Sequence, residues 1–172
     1  MTSLFPADLY ADAEALLGEL QRRALLIATA ESCTGGLLSA LLTEVPGSSG
    51  MVERGYVTYS NASKSELLGV PDDLIARYGA VSEEVARAMA EGALARTPAH
   101  IAVSVTGIAG PDGGSPEKPI DLVYVGVAAK DLETRTQEYR FGDIGRCEVR
   151  LASVRAALKL AHAAVGPGRR HG

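Results

Sequence analysis

The residues best suited to catalysis or ligand binding lie in three polar stretches, each of which follows a predicted β-strand: ESCTGG at 31–36, YSNASK at 59–64 and TGIAGPDGGS at 106–115. Ser32 offers a hydroxyl nucleophile, and Lys64 offers an amine that can act as its base if burial or a neighbouring cation lowers its pKa. Tyr59 could relay or donate a proton. No histidine lies beside these stretches, which disfavours a Ser-His-Asp triad and favours a Ser-Lys pair. Alternatively, Tyr59 has no catalytic role and only ends a strand, and Lys64 is only a solvated lysine on a helix.

The first stretch connects a buried strand to an apolar helix, and its composition suits the binding of an anion. Backbone N–H groups at a helix N-terminus are unpaired and carry the positive end of the helix dipole. Gly35 and Gly36 would let a ligand approach this backbone closely, and Ser32 comes just before it. The pattern predicts a nucleophile beside an oxyanion or phosphate cradle. The alternative is that Ser32 or Thr34 only caps the helix.

The third stretch belongs to a loop rich in Gly and Pro, TGIAGPDGGSPEKP at 106–119. Its glycines expose many N–H groups, and structureless loops of this length are commonly functional. A flexible connection is the alternative, because the spacing of Asp112 and Glu117 is not diagnostic of acid–base or metal chemistry. Arg146 and Arg150 open the last predicted helix and either grip a phosphate or lie on a solvated face.

The hydrophobic pattern predicts the elements that must position these residues. Predicted helices cover 9–22, 35–44, 62–68, 71–78, 83–96 and 146–164, and predicted strands cover 25–29, 51–60, 101–105, 122–129 and 134–141. Alternation of strands and helices implies parallel strands with right-handed crossovers, and the last two strands are close enough for a hairpin. We therefore expect a three-layer α/β/α sandwich around a mixed, mostly parallel sheet of about five strands. Sites in such sheets lie beyond the carboxyl ends of the strands, where the three polar stretches fall.

Composition bounds the class of protein. The 172 residues are 47% hydrophobic and 22% charged, which is typical of a globular domain, and the net charge of −4 argues against nucleic-acid binding. No apolar run approaches the roughly 20 residues of a membrane span, and the N-terminus does not read as a signal peptide. Cys33, Cys147 and the three histidines are too scattered for a disulfide framework or a zinc site. We expect one cytoplasmic, metal-free domain over residues 1–172, with a disordered tail at 166–172.

Four motifs in order resemble the CinA C-terminal domain family: AESCTGG, then PGSSG with ERGYVTYSNASK and LLGV, then YGAVSEEVARAMAEGA, then VSVTGIAGPDGGSPEKP. The resemblance covers about residues 16–161. Characterised family members are nicotinamide-nucleotide amidohydrolases, which convert nicotinamide mononucleotide to nicotinate mononucleotide and ammonia. The resemblance implies a mixed-sheet α/β/α fold, no cofactor, and homodimers or larger homo-oligomers. Longer CinA proteins carry an additional N-terminal domain, so this chain resembles the stand-alone form.

The resemblance also implies roles for individual residues. Ser32 would be the nucleophile, with Lys64 and Tyr59 as its activating partners. One departure affects the expected affinity: where the family usually reads Val-Gly-Thr-Val, residues 120–123 read IDLV. We expect the added carboxylate of Asp121 to lie near the phosphate-binding loop and to weaken the binding of an anionic substrate by repulsion.

Substrate contacts are expected at six further positions: Thr34, Gly35 and Gly36 for the oxyanion, and Thr106, Gly107 and Arg146 for the nucleotide phosphate. Two other functions stay open. A catalytically silent module that binds a nucleotide or phosphate would keep the glycine loops but tolerate the loss of Ser32 or Lys64. A Ser-Lys amidase could instead act on another small amide. The presence of both residues favours an enzyme.

Overall fold

The computed structural model describes residues 3–165, so the predicted disordered tail at 166–172 lies outside the described residues. The helices are α1 (Ala7–Arg22), α2 (Leu37–Glu44), α3 (Asn61–Leu68), α4 (Asp72–Tyr78), α5 (Glu83–Ala95) and α6 (Arg146–Val165). The strands are β1 (Ile27–Glu31), β2 (Val52–Val57), β3 (Ile101–Gly107), β4 (Leu122–Ala129) and β5 (Arg135–Arg140). Each predicted helix and strand therefore has its counterpart, with boundaries that differ by a few residues.

The strands form one mixed sheet in the order β2-β1-β3-β4-β5. β1 pairs in parallel with both β2 and β3, whereas β3 with β4 and β4 with β5 form antiparallel pairs. Four strands consequently point the same way and β4 alone of the five is reversed. The prediction of a mixed, mostly parallel sheet that ends in a hairpin is confirmed.

Helices cover both faces of the sheet and complete the predicted three layers. Successive strand residues point to opposite faces, so each central strand contributes to two cores. On one face, α1, α2 and α6 bury side chains such as Leu16, Leu41 and Val154. On the other face, α5 buries Met89 beside Ala102, together with residues of α3 and α4. No helix within residues 3–165 is long and apolar enough to cross a membrane.

The boundary difference that bears on the site lies at the connection that carries the first polar stretch. β1 continues to Glu31 instead of ending at Thr29, and α2 begins at Leu37 instead of Gly35. Gly35 and Gly36 have φ angles of +59° and +98°, which an α-helix cannot use, and they form a turn before the helix. The nucleophile candidate therefore lies directly after the strand, at the start of a tight turn.

Candidate active site

The three polar stretches meet at the carboxyl ends of β1, β2 and β3, and they line a cavity of about 250 Å³. The lining residues are Ser32, Cys33, Tyr59, Asn61, Lys64, Ala80, Val81, Thr106, Gly107, Ile108, Ala109, Gly110, Asp112, Gly113 and Arg146. Parallel pairing explains this convergence, because it brings the ends of neighbouring strands to one edge of the sheet.

Ser32 and Lys64 are in direct contact in this cavity. The Nζ atom of Lys64 lies 3.0 Å from the Oγ atom of Ser32, 2.8 Å from the carbonyl oxygen of Thr58 and 3.3 Å from that of Tyr59. The backbone N–H of Ser32 donates to the carbonyl of Val105 at 2.9 Å, which anchors the nucleophile candidate to the end of β3. The amine is thus surrounded by three oxygen atoms.

Burial makes Lys64 suitable as a base. Its side chain is only 1% exposed, and this desolvation lowers its pKa from 10.5 to about 8. The ammonium form can donate hydrogen bonds to all three neighbouring oxygens. The neutral amine can donate to the two carbonyls and direct its lone pair at the Ser32 hydroxyl, which would then donate its proton. The surroundings therefore accommodate both protonation states that a base must adopt.

The N-terminus of α2 is occupied by the side chain of Glu31, which is fully buried. Its Oε2 atom accepts hydrogen bonds from the backbone N–H groups of Gly36 at 3.1 Å and Leu38 at 3.0 Å. Its Oε1 atom accepts from the backbone N–H of Ser39 at 2.9 Å and from the Ser39 hydroxyl at 3.0 Å. A carboxylate is stabilised there by the positive end of the helix dipole. The anion that the helix end binds is therefore the chain's own carboxylate.

This contact corrects the predicted oxyanion cradle at Thr34, Gly35 and Gly36. The N–H of Gly36 donates to the buried carboxylate, and that of Gly35 donates to the carbonyl of Ser32 at 3.0 Å. Thr34 is fully buried, and the three residues are not among those that line the cavity. Within residues 3–165, the N–H groups of Cys33 and Thr34 donate no hydrogen bond, and of these two residues Cys33 lines the cavity, so its N–H remains for a substrate oxygen.

The Tyr59 side chain lies at the mouth of the cavity and is 62% exposed. Its hydroxyl oxygen accepts a long hydrogen bond of 3.4 Å from Arg146, whereas its backbone carbonyl is the group that accepts from Lys64. Among the described residues, no hydrogen bond joins the phenol to Ser32 or Lys64. The structure thus offers no contact through which this phenol would activate the pair, contrary to the expected relay.

The three residues nominated for the phosphate all line the cavity, and their role there stays a prediction. The Thr106 hydroxyl donates to the carbonyl of Ala80 at 2.8 Å, so its proton is already used. Gly107 is packed closely, because a Cβ atom there would lie 2.6 Å from a methyl group of Val123. Arg146 donates to the carbonyl of Gly110 at 2.7 Å, and its side chain reaches the cavity from the first turn of α6. Arg146 therefore places a second cation at the cavity, besides the ammonium form of Lys64.

The structure also corrects the expected position of the Asp121 carboxylate. It is buried, its carboxylate accepts a hydrogen bond from the backbone N–H of Gly142, and it does not line the cavity. Its φ angle is +87°, a value that glycine adopts freely and that aspartate tolerates better than most residues. The usual glycine of the family suits this turn for the same reason. The structure therefore places this carboxylate outside the cavity, with a backbone N–H as its partner.

Arg150 has neither of its two predicted roles. Its Nε atom donates to the carbonyl of Cys33 at 3.1 Å, and its Nη2 atom donates to the carbonyl of Thr34 at 3.0 Å. The side chain is partly buried and does not line the cavity. Sequence reasoning missed this contact and that of Glu31, although a glutamate between an apolar strand and a Gly-Gly turn is a signal for a buried cap.

Cys33 and the remaining acidic groups give no sign of other chemistry. Burial raises the pKa of the Cys33 thiol to about 12, which keeps it neutral and unreactive. In the described part of the chain, no three His, Cys, Asp or Glu side chains are grouped to hold a metal ion. The cavity therefore offers the Ser32 hydroxyl, the Lys64 amine, the Arg146 guanidinium, backbone groups and the carboxylate of Asp112.

Comparison with known proteins gives the family. The sequence model of the CinA C-terminal domain family matches residues 10–165. The chain belongs to the CinA C-terminal domain family. A competence/damage inducible protein of Agrobacterium tumefaciens has a similar crystal structure, with a TM-score of 0.93 and 48% identity over 95% of this chain and 99% of that one.

Curated relatives of this CinA domain fall into two groups by length. A nicotinamide-nucleotide amidohydrolase of Enterobacter agglomerans is 49% identical over 81% of this chain and 87% of its own length. A CinA-like protein of Akkermansia muciniphila is 54% identical over 72% of this chain but only 30% of its own length. The chain thus spans about a third of the length of several curated relatives that it matches.

Proposed function

We propose that this CinA domain hydrolyses the carboxamide of nicotinamide mononucleotide to nicotinate mononucleotide and ammonia, as a single-domain amidase of pyridine nucleotide recycling. The observation that carries the proposal is the 3.0 Å contact between Ser32 and the buried amine of Lys64 in an open cavity. The relative from Enterobacter agglomerans supports the choice of substrate. We also propose that it acts in the cytoplasm as a homo-oligomer.

In the first half of the reaction, Ser32 forms an ester with the substrate. The neutral amine of Lys64 takes the hydroxyl proton while Oγ attacks the carboxamide carbon, and the carbonyl oxygen becomes an oxyanion. The N–H of Cys33 is the donor that we assign to this oxyanion. The C–N bond then breaks, and Lys64 returns the proton to the leaving nitrogen, which departs as ammonia.

In the second half, water replaces ammonia. Lys64, neutral again, takes a proton from a water molecule that attacks the ester carbon, and a second oxyanion forms in the same position. The bond between Ser32 and the acyl carbon breaks, and the proton on Lys64 returns to the serine oxygen. One amide and one water are consumed, and one acid and one ammonia are produced. Neither half requires a metal or cofactor.

Arg146 gives the site a preference for an anionic substrate. Its guanidinium lies at the cavity mouth, where it contacts the Tyr59 hydroxyl and the Gly110 carbonyl. Arginine can still donate from its other N–H groups, and its planar fork matches a phosphate. Binding energy from that remote group can be used to orient the carboxamide at Ser32.

The direct test is release of ammonia from nicotinamide mononucleotide by the wild-type chain and by Ser32→Ala. Removal of a serine nucleophile commonly lowers kcat by about 10⁴ to 10⁶. We expect such a loss with an intact fold and unchanged substrate affinity, because the Lys64 amine keeps its two carbonyl partners when the serine hydroxyl is removed. Retention of more than a tenth of wild-type turnover by Ser32→Ala would exclude this nucleophile.

The ammonia assay, together with calorimetry and a serine-directed reagent, separates this function from a silent binding module and from an amidase for another amide. A silent binding module would bind the nucleotide in calorimetry but release no ammonia, whether Ser32 is present or not. An amidase for another small amide would not release ammonia from nicotinamide mononucleotide, yet Ser32 would still react with a general serine-directed reagent. The proposed enzyme requires both ammonia release and dependence on Ser32.

A further inference from the structure

Arg150 crosses from α6 to the turn that follows the nucleophile and binds two consecutive carbonyls there. Nε and Nη2 of one guanidinium donate to Cys33 and Thr34, at 3.1 and 3.0 Å. A fork that binds adjacent carbonyls fixes the rotation of two peptide planes at once, which a single hydrogen bond cannot do. The partner residues are 116 and 117 positions away in sequence, so this contact is a tertiary one.

The orientation of these carbonyls determines where the neighbouring N–H groups point. In a trans peptide, the C=O of one residue and the N–H of the next point in opposite directions, and these bonds are trans. Binding of the Cys33 carbonyl by Arg150 therefore directs the Thr34 N–H away from the guanidinium. Binding of the Thr34 carbonyl likewise points the Gly35 N–H away from the guanidinium, and this N–H donates to the Ser32 carbonyl at 3.0 Å.

The same series of contacts also fixes the orientation of the Cys33 N–H. The Ser32 carbonyl accepts from Gly35, and the Cys33 N–H belongs to the same peptide plane as that carbonyl and points the opposite way. The N–H that remains for a substrate oxygen is thus oriented through Gly35 by one guanidinium.

We propose that Arg150 is a positioning residue that, through the turn at Thr34 and Gly35, holds the backbone N–H of Cys33 in place for the oxyanion of the reaction. This inference rests on the proposed function in taking Ser32 as the nucleophile, but it does not depend on which amide is the substrate. Arg150 does not line the cavity, so it acts through the peptide groups and not by contact with substrate.

The experiment measures how fast Ser32 reacts with a small alkyl fluorophosphonate, followed by intact-protein mass. Oγ forms a bond to phosphorus, fluoride leaves, and Lys64 takes the proton. The phosphoryl oxygen gains negative charge in the transition state, so the rate reports on the Cys33 N–H as oxyanion donor without the nucleotide. We expect Arg150→Met to react about 10- to 100-fold more slowly, since loss of a direct donor costs about 10² to 10³.

Two variants control for other effects. Arg155→Met removes another α6 arginine, whose Nε contacts Asp8 at 3.1 Å on the surface, and it should react at the wild-type rate. Arg150→Lys keeps the charge without the fork, so its rate should fall between those of wild type and Arg150→Met. If Arg150→Met does not fold, the rate of Arg150→Lys decides.

A second readout separates positioning from a general loss of structure. With nicotinamide mononucleotide, Arg150→Met should lower kcat, leave KM within about twofold, and leave the acid limb of the pH profile in place. That limb belongs to Lys64, whose pKa is set by its own burial. Fluorophosphonate rates equal to wild type, or a rate loss that comes with a shifted acid limb, would overturn the assignment of Arg150. An unreactive Ser32 in the wild-type chain would instead overturn the nucleophile itself, and the proposed function with it.

Discussion

Lys64 should determine how the activity of this CinA domain depends on pH. A lysine acts as a base only in its neutral form, and burial lowers the pKa of Lys64 from 10.5 to about 8. At pH 7 about one Lys64 in ten is then neutral, compared with about one in three thousand for an ordinary lysine. The buried position therefore supplies about a 300-fold larger fraction of active base.

The pH profile of kcat/KM distinguishes a buried lysine with a lowered pKa from an ordinary lysine. With a pKa of about 8, kcat/KM should rise about tenfold between pH 7 and 9 and then level off. An unperturbed lysine would give about a hundredfold rise over the same interval with no plateau. A phosphate group titrates near pH 6, so ionisation of the substrate does not interfere in this range.

The matched variant is Lys64→Arg, which retains a positive charge but cannot release a proton at these pH values. We expect kcat to fall by about 10² to 10⁴, the usual contribution of a general base, and the limb near pH 8 to disappear. His100→Asn should keep the limb, because His100 lies outside the cavity and its Nδ1 accepts a hydrogen bond from Leu26 at 3.0 Å. If Lys64→Arg kept most of the wild-type kcat and mainly raised KM, Lys64 would only attract the substrate, and the argument from its burial would be refuted.

Two further expectations concern the substrate and the stability of the fold. Nicotinamide riboside and free nicotinamide should have much lower kcat/KM than nicotinamide mononucleotide, and Arg146→Met should reduce that difference; equal kcat/KM for riboside and mononucleotide would contradict a phosphate site. The folded pKa of Lys64 is lower than the unfolded value of 10.5, so the unfolded chain binds more protons between pH 8 and 10.5 and the contribution of Lys64 to stability rises with pH. In denaturant titrations, the stability of wild type relative to Lys64→Met should accordingly increase by roughly 2 kcal/mol from pH 7 to 10, and a difference independent of pH would contradict a depressed pKa.

The layers of the fold were accessible from the sequence because they depend on local patterns. Helical spacing of Leu16, Leu17 and Leu20 and the apolar run of β3 identify elements without knowledge of their partners. Convergence of the three polar stretches then followed from parallel pairing alone. Ser32 and Lys64 could be selected for the same reason, since each belongs to a stretch at a strand end.

Groups that act through long-range hydrogen bonds could not be assigned in this way. Arg150 was indistinguishable from a surface arginine, because its partners lie more than a hundred residues away. The helix-end cradle was predicted from generic helix physics, which does not reveal that Glu31 already occupies it. Asp121 looked like a charge near a ligand, whereas a turn with positive φ holds it in a buried position.

The central claim is that Ser32 becomes esterified by the nicotinamide nucleotide during turnover. Rapid acid quench of the wild-type chain with nicotinamide mononucleotide, followed by peptide mass analysis, measures that ester directly. We predict a peptide containing Ser32 that carries the nicotinate mononucleotide acyl group, absent from Ser32→Ala and abolished by hydroxylamine. Full ammonia release without any acylated Ser32 peptide, and with no hydroxamate formed when hydroxylamine is present, would contradict the account.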